Sequence, residues 1–451
     1  MSSTKQLPCS PPSLTNYHWS DHPDPNKWAD CVHCGMCLEA CPTYELTGHE
    51  QQSPRGRVHL IKSVAEGKLE VNEAFADPVF TCLDCRACET ACPADVEVGG
   101  LIEEARGQIR QALPLSGWKK VVSHLFLRGL FPYPHRLHAL GSLVKVYQKV
   151  GIRKAVRKTG LLHLFPEHFA DMEAVIPEVS TPVQKRYRKK SFIKAKGKSK
   201  QRVTLLAGCV MDVMFSEVNE ATIRVLTRNG NDVSLPKDQT CCGALHVHAG
   251  DREMGRRLAK QNMKAFENEE TIIVNAAGCG SMLQEYPELF REVEREWYER
   301  AEAFAEKVKD VSKHLYDTGY EKPKGEVRAK VAYHDACHLA HGQNVRQEPR
   351  DLLLKISGVE LIPMENADRC CGSAGIYNLT HPKMASRVLE KKMECVPSDV
   401  EMVSMGNPGC MLQMAMGVKK YGGNQRIIHT VQLLDLAYQQ EELKTKGGDG
   451  L

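Results

Sequence analysis

The alternation of apolar and polar positions divides the chain into a helical front and a back in which strand-like and helical stretches alternate. In the front, a helix is predicted near Arg57 to Glu66, between two similar cysteine runs. From Leu115 to Gly160 there is no Asp or Glu, while Lys119, Lys120, Arg128, Arg136, Lys145, Lys149, Arg153, Lys154, Arg157 and Lys158 alternate with Val, Leu, Phe, Trp118 and Tyr133. This pattern predicts basic amphipathic helices. A second basic stretch, Lys185 to Arg202, has little apolar content and follows Pro177 and Pro182, so it is expected to be a linker.

Beyond Val203 the pattern repeats. Val203 to Ala207 and Lys330 to Tyr333 are β-like, as are Thr271 to Val274 and Val400 to Ser404. Asp251 to Glu269 and His381 to Cys395 are helical. The cysteines keep step: Cys209 corresponds to Cys337, the pair Cys241-Cys242 to Cys370-Cys371, and Cys279 to Cys410, at offsets of 128, 129 and 131. Strands alternating with helices predict a parallel α/β unit in each half, with the cysteines in loops at strand ends.

Composition narrows the class. At 451 residues the chain exceeds one compact core, and the expected division is 1–112, 113–200, 201–325 and 326–442. With 42% hydrophobic and 26% charged residues, it matches an ordinary soluble protein. No apolar run reaches the ~18 residues of a membrane helix, and Met1 to Gln6 lacks a secretory core, so a cytoplasmic location is expected. The basic segment suits either the anionic inner face of the cell membrane or a docked subunit. Its sparse aromatics argue against nucleic acid. The 18 cysteines read as metal ligands rather than disulfides, with Cys9 and Cys395 outside the four ordered groups.

The first run is Cys31-x-x-Cys34-x-x-Cys37-x-x-x-Cys41-Pro42 and the second Cys82-x-x-Cys85-x-x-Cys88-x-x-x-Cys92-Pro93. Both have bacterial ferredoxin spacing, in which three thiolates wrap one cluster and the fourth crosses to the other. One 4Fe-4S cluster is then expected on Cys31, Cys34, Cys37 and Cys92, and another on Cys82, Cys85, Cys88 and Cys41. Zinc would use paired Cys-x-x-Cys units and has no need of a third thiol and a Cys-Pro.

Each repeat offers four more thiolates: Cys209, Cys241, Cys242 and Cys279, then Cys337, Cys370, Cys371 and Cys410. Gly243 and Gly372 would let the backbone approach closely. These motifs resemble the Cys-Cys-Gly domains of heterodisulfide reductase and of iron-sulfur subunits of flavin-linked dehydrogenases. Met282 and Gln413 stand where that family often has a further cysteine. A further iron-sulfur cluster, zinc and a purely structural role all fit the thiols. His246, His248, His334, His338 and His341 are candidates for proton-coupled transfer or quinone contact. The fold class expected is therefore α+β multidomain: an α-helical ferredoxin-type two-cluster domain, a basic helical segment and two repeated α/β Cys-Cys-Gly domains.

Gly278-Cys279-Gly280 does not continue into a dinucleotide fingerprint, because position 283 is Leu. Gly197-Lys198-Ser199 has Phe192 where a phosphate loop needs glycine. Two-electron chemistry is therefore expected on a partner. The double run, Ser53-Pro54-Arg55-Gly56-Arg57, the basic middle, Tyr333-His334-Asp335-Ala336-Cys337-His338 and Cys370-Cys371-Gly372-Ser373-Ala374-Gly375 together resemble the iron-sulfur subunits of glycolate oxidase over nearly all of the chain. The resemblance implies a FAD-containing partner subunit that oxidises glycolate or D-lactate. This chain would then pass the electrons to an acceptor such as quinone, without oxidising substrate by itself. Two other classes share these domain types: heterodisulfide-reductase-like catalytic subunits and the membrane-anchoring subunit of anaerobic glycerol-3-phosphate dehydrogenase.

Overall fold

The computed structural model describes residues 16–17, 21–159, 173–190, 192–291 and 293–447; Cys9 and Gly160 lie outside them. The front unit is helical. Ser53 caps the helix Pro54–Ala65 by accepting from the Gly56 N–H, and Pro54 at its first position has no amide to leave unpaired. Asn72 caps Glu73–Thr81 in the same way through Phe75. Their apolar faces, Val58, Ile61, Val64, Phe75 and Val79, close on Leu101, Ile102, Ala105 and Ile109 of the helix Val98–Ala112. The cysteine runs connect these helices: Cys41 is the residue before Pro42–Thr47, and Cys82 ends Glu73–Thr81.

The basic segment folds as Gly117–Ser123, a π-type turn His124–Arg128, and the helices Pro134–Lys149 and Ile152–Thr159. Pro134–Lys149 buries Leu137 and Gly141, the latter against Val213. Its opposite face leaves Leu140, Leu143 and Val146 exposed, with Val150 just beyond the helix end.

Each repeat builds one sheet. The first contains β1 (Phe192–Ile193), β2 (Gln201–Leu205), β3 (Asn231–Ser234), β4 (Ile272–Val274) and β5 (Val308–Asp310), ordered β1-β3-β2-β4-β5. All its pairings are parallel except β1 with β3. The second contains β6 (Glu326–Tyr333), β7 (Ser357–Ile362), β8 (Met402–Met405) and β9 (Arg426–His429), ordered β7-β6-β8-β9 and wholly parallel. The two expected α/β units are therefore present, and one continuous apolar core runs through both.

Three strands differ from expectation. β5 and β9 carry too few apolar residues to stand out as apolar runs. β1 comes from the stretch expected to be a linker, where Asp232 accepts hydrogen bonds from the Ala195 amide (2.7 Å) and the Ser199 hydroxyl (3.0 Å) and draws the chain onto the sheet edge. Among the described residues no helix is long and apolar enough to cross a membrane.

The front unit is seated on both repeats. Gly107 and Gly250 permit the approach: a Cβ on Gly107 would lie 2.9 Å from the Arg252 side chain, and one on Gly250 only 2.5 Å from the Arg106 carbonyl. Through this gap Arg252 reaches Asp21, donating two hydrogen bonds of 2.7 and 2.8 Å, and Arg256 adds a third of 2.7 Å. Asp21 and Arg252 are both buried. Removing one partner strands a buried charge, at a cost of about 3–5 kcal/mol. Asp21→Ala is expected to lower the melting temperature of the full chain sharply, whereas Asp317→Ala, on a pair half open to solvent, should leave it within a degree or two. Equal melting curves for the two variants would contradict this account.

Candidate functional site

Short loops impose the geometry of the front cysteines. His33 and Gly35 in the first run, and Asp84 and Arg86 at the matching places in the second, all adopt positive φ (55°, 88°, 53° and 61°). Non-glycine residues rarely hold this conformation unless the surroundings demand it. Each loop therefore curls so that its thiols face inward. Cys31, Cys34, Cys37 and Cys92 line one cavity, and Cys41, Cys82, Cys85 and Cys88 line a neighbouring one. The fourth cysteine of each run lies with the first three of the other. Cys88 borders both cavities.

The two cavities differ in depth. The outer one has a rim of exposed side chains, with Val32 77% and Met36 61% exposed, and Cys34 is open to solvent. The inner one lies deeper, with Cys41 and Cys85 buried, and burial pushes the thiols of Cys82, Cys85 and Cys88 up, so that a bound metal must displace their protons. Arg57 lies fully buried against the inner set. It donates to the Pro78 carbonyl (2.8 Å), Thr43 Oγ1 (2.9 Å), Gln52 Oε1 (3.0 Å) and the Cys41 sulfur (3.8 Å). Burial acts to lower its pKa, and Cys82 and Cys41 beside it raise it once they are thiolates. A buried cation among thiols suits a site that carries negative charge.

In the repeats eight of the other cysteines gather as two strings of four, with Cys395 outside them. Cys209 Sγ lies 3.5 Å from Cys241 Sγ, and thiol hydrogen bonds continue from Cys241 to Cys242 and from Cys242 to Cys279. The second string runs Cys337, Cys370, Cys371, Cys410 in the same way. Gly243 and Gly372 do take positive φ, and a Cβ on Gly372 would sit 2.7 Å from the Ala385 carbonyl. The expected loop placement holds for the Cys-Cys pairs. The others occupy first turns of helices that follow strands: Cys209 opens Cys209–Met214, Cys337 opens Cys337–Ala340, and Cys279 and Cys410 lie just inside Ala277–Gln284 and Pro408–Lys420. Asn407 links the two strings, accepting from the Gly278 amide (3.1 Å) and donating to Cys410 Sγ (3.4 Å).

The second string meets the inner front cavity. Leu83, Cys85 and Ala87 pack with Cys337, Cys370 and Tyr377, and the Tyr377 hydroxyl donates to the Thr81 carbonyl at 2.9 Å. Beside this contact lies a buried ionic network. His248 of the first repeat pairs with Asp84 (3.1 Å) and Glu103 (3.2 Å), Arg106 lies 3.7 Å from Asp84, and Arg86 pairs with Glu285 at 2.6 Å. Burial alone would lower the His248 pKa, but the hydrogen bonds to Asp84 and Glu103 outweigh it and push it up to about 9. His248 is thus a cation, and with Arg86 and Arg106 nearby the acids are already neutralised, so the trio is a charge network and not a cation site.

The other candidate histidines have separate tasks. His246 Nε2 bonds the Leu127 carbonyl at 2.6 Å and holds the basic segment, and burial lowers its pKa. His341 bridges Thr90 of the front unit and the Asp368 carbonyl. His338 lies 3.5 Å from Cys337 Sγ, with its pKa driven by burial to about 3. His334 is buried beside Cys371 and Cys410.

Comparison with known proteins agrees with this arrangement. A 4Fe-4S dicluster domain model matches residues 27–96, a model for the glycolate oxidase iron-sulfur subunit linker region matches 118–176, and a cysteine-rich domain model matches 203–284 and 331–415. The probable glycolate oxidase iron-sulfur subunit of Bacillus subtilis is 42% identical over 91% of this chain and 94% of its own length. The glycolate oxidase iron-sulfur subunit of Escherichia coli is 31% identical over the same shares. This chain belongs to the glycolate oxidase iron-sulfur subunit family. A more distant relative, one of the subunits of the fumarate reductase (CoM/CoB) of Methanothermobacter marburgensis, is 27% identical over 93% of the chain and 74% of its own length.

A member of this family is an electron-transfer subunit of an oxidoreductase complex and works with partner subunits. The dicluster match assigns two 4Fe-4S clusters to the front unit, and the crossed cavities fit them. Sequence reasoning missed Asp84, Arg86, Glu103 and Arg106. The available signal was that Asp84 and Arg86 are charged residues inside a cysteine run whose loop must fold inward.

The network also fixes a pH dependence. A histidine whose pKa rises from 6.5 to about 9 on folding contributes stability that is full below 6.5 and lost as pH rises through 9. The melting-temperature gap between wild type and His248→Gln should therefore be widest below pH ~6.5 and narrow progressively toward pH ~9. A gap that stays constant from pH 6 to 9.5, those bounds set roughly half a unit outside the window, would count against a protonated His248.

Proposed function

We propose that the chain carries electrons within a glycolate-oxidising complex. It takes them from a FAD-containing partner subunit acting on glycolate, or on a related 2-hydroxy acid such as D-lactate, and delivers them to an acceptor such as quinone. The observation that carries this reading is the gathering of eight cysteines into two adjoining cavities, the inner one against Cys337 and Cys370. When bound there, 4Fe-4S clusters supply one-electron steps, which suits a reduced flavin that must release two electrons in sequence.

The chain's own part is to hold, space and shield. Cys31, Cys34, Cys37 and Cys92 are proposed as the outer ligands, and Cys82, Cys85, Cys88 and Cys41 as the inner ones. The exchange of Cys41 and Cys92 keeps the two sites adjacent. Arg57 supports the negative charge of the inner site, while the exposed lip at Val32 and Met36 leaves the outer one open to a partner. The division 1–112, 113–200, 201–325 and 326–442 follows as one cluster unit, a basic connector and two repeats.

The connector supports a peripheral place on the inner face of the membrane. Trp118, Val121 and Leu125 are exposed along one helical face, and Leu143 and Val150 along another, in a segment without carboxylates. Apolar side chains flanked by cations match an anionic lipid surface.

Mixed anaerobically with its flavin-containing partner and glycolate, the purified chain should lose its visible iron-sulfur absorbance, and with glycolate alone it should not. Bleaching by D-lactate but not glycolate would overturn glycolate and leave D-lactate as the substrate, and bleaching by neither would overturn the role. In flotation with anionic phospholipid vesicles, a variant carrying Trp118→Ser, Leu125→Ser, Leu143→Ser and Val150→Ser should stay behind while wild type rises. Equal flotation would remove the membrane assignment and leave the electron-transfer role intact.

A further inference from the structure

The two repeats match in their cysteines but differ three residues before the first of them. The first repeat has Leu206 there and the second has His334. Both positions are buried at the carboxyl end of the central strand of their sheets, Leu206 just after β2 and His334 just after β6. Leu206 joins the apolar core. An imidazole in the same kind of place must instead satisfy two nitrogens away from water.

One nitrogen is settled. His334 Nδ1 lies 3.1 Å from the Ala367 carbonyl, which also accepts from the Asp335 amide (3.0 Å) and from Lys392 Nζ (2.8 Å). A carbonyl can only accept, so Nδ1 carries the ring proton and Nε2 presents its lone pair. The His334 amide is held as well, donating to the Ser404 carbonyl at 2.9 Å, so the ring direction is fixed by the sheet. Nε2 is buried and has no hydrogen-bond partner. A ring nitrogen of His334 and the sulfurs of Cys371 and Cys410 all lie within 4.8 Å of one another. A proton-free nitrogen converging with two thiols, its far side braced by a backbone carbonyl, has the outer-shell support found for metal-bound histidine.

We propose that His334 Nε2 is a metal ligand, which makes the second Cys-Cys-Gly site a mixed imidazole-thiolate centre, with Cys371 and Cys410 at its heart and Cys337 and Cys370 alongside. The first site offers thiolates alone. The metal is thiophilic, either iron in an iron-sulfur cluster or zinc, since both accept sulfur together with imidazole. The inference rests on reading the Cys-Cys-Gly thiols as a metal centre and is independent of the electron donor.

The test uses the full chain, purified anaerobically with and without 15N-labelled histidine, together with the variants His334→Leu, which copies the first repeat, and Cys371→Ser. Metal analysis counts iron and zinc beyond the about eight irons of the front clusters. If the second centre holds iron, pulsed electron paramagnetic resonance of the reduced protein should show a nitrogen coupling that changes with the label and vanishes in His334→Leu. If it holds zinc, X-ray absorption should give a zinc shell of sulfur plus one nitrogen, with the nitrogen lost in that variant. Should His334→Leu fail to fold, His334→Gln takes its place, and His338→Gln, which removes the other imidazole beside these thiols, must leave the nitrogen signature intact; loss of the signature in His338→Gln alone overturns the assignment to His334. Metal lost in Cys371→Ser, but without nitrogen signature in the wild type, overturns the ligand and keeps the centre. Metal unchanged in Cys371→Ser overturns the centre itself.

Discussion

The charged face of the helix Val98–Ala112 is the constraint on which the arrangement depends. Its apolar side closes the front core, so Glu103, Glu104 and Arg106 point away from that core and are nevertheless buried. Charges in that position need partners, and the unit's own residues supply only some of them, the rest coming from the first repeat. Glu104 and the first repeat's Glu288 meet at Lys27, His248 answers Glu103 and Asp84, and Arg106 reaches the His248 carbonyl. The front unit is therefore held in one orientation on the repeats. That orientation seats the loop carrying Cys82 and Cys85 against Cys337 and Cys370. Hydrophobic burial alone would hold the surfaces together with far less directional preference, because it scales with area and not with angle.

The same seating explains why the two front cavities are unequal. Cys85 lies under the second repeat and loses its water, whereas the loop of Val32 and Met36 faces outward. Desolvation disfavours extra negative charge, and Arg57 and Arg106 near Cys82 offset it. An inner site that is more deeply buried is thus also the one supplied with buried cations. The outer site, with an exposed lip, is the one a partner can approach closely.

What the sequence disclosed depended on whether the information was local. The two-cluster character of the front cysteines was legible, because two- and three-residue spacings constrain where a thiol can point. The repeat was legible because three cysteine anchors share nearly one offset. The parallel sheets followed from runs such as Glu326–Tyr333, long enough to show strand character. The strands Val308–Asp310 and Arg426–His429 were not legible, because Lys309 and Asp310 follow the one apolar residue of the first and charged or polar residues bracket the two isoleucines of the second, whereas the equally short Ile272–Val274 is wholly apolar. His248 and Asp84 lie 164 positions apart, and no spacing rule spans such a distance. Arg57 stood out only as part of a motif, and its role became visible once Cys41 was seen folded onto it.

Repetition itself hid the remaining difference. An internal repeat invites each position to be read through its counterpart, and the shared cysteines make the two halves look interchangeable. Both repeats touch the walls of the inner front cavity, but the thiols packed with Cys85 are Cys337 and Cys370 of the second, while the first reaches Asp84 and Arg86 through His248 and Glu285. The first repeat supplies Asn262 and Tyr286 to fasten the carbonyls of Cys241 and Cys242, and His248 to fasten the front unit. In the second repeat a carbonyl anchored by Lys392 orients His334 toward the thiols. The divergence gives one copy the residues that fasten the front unit and the other the imidazole that lies beside its thiols.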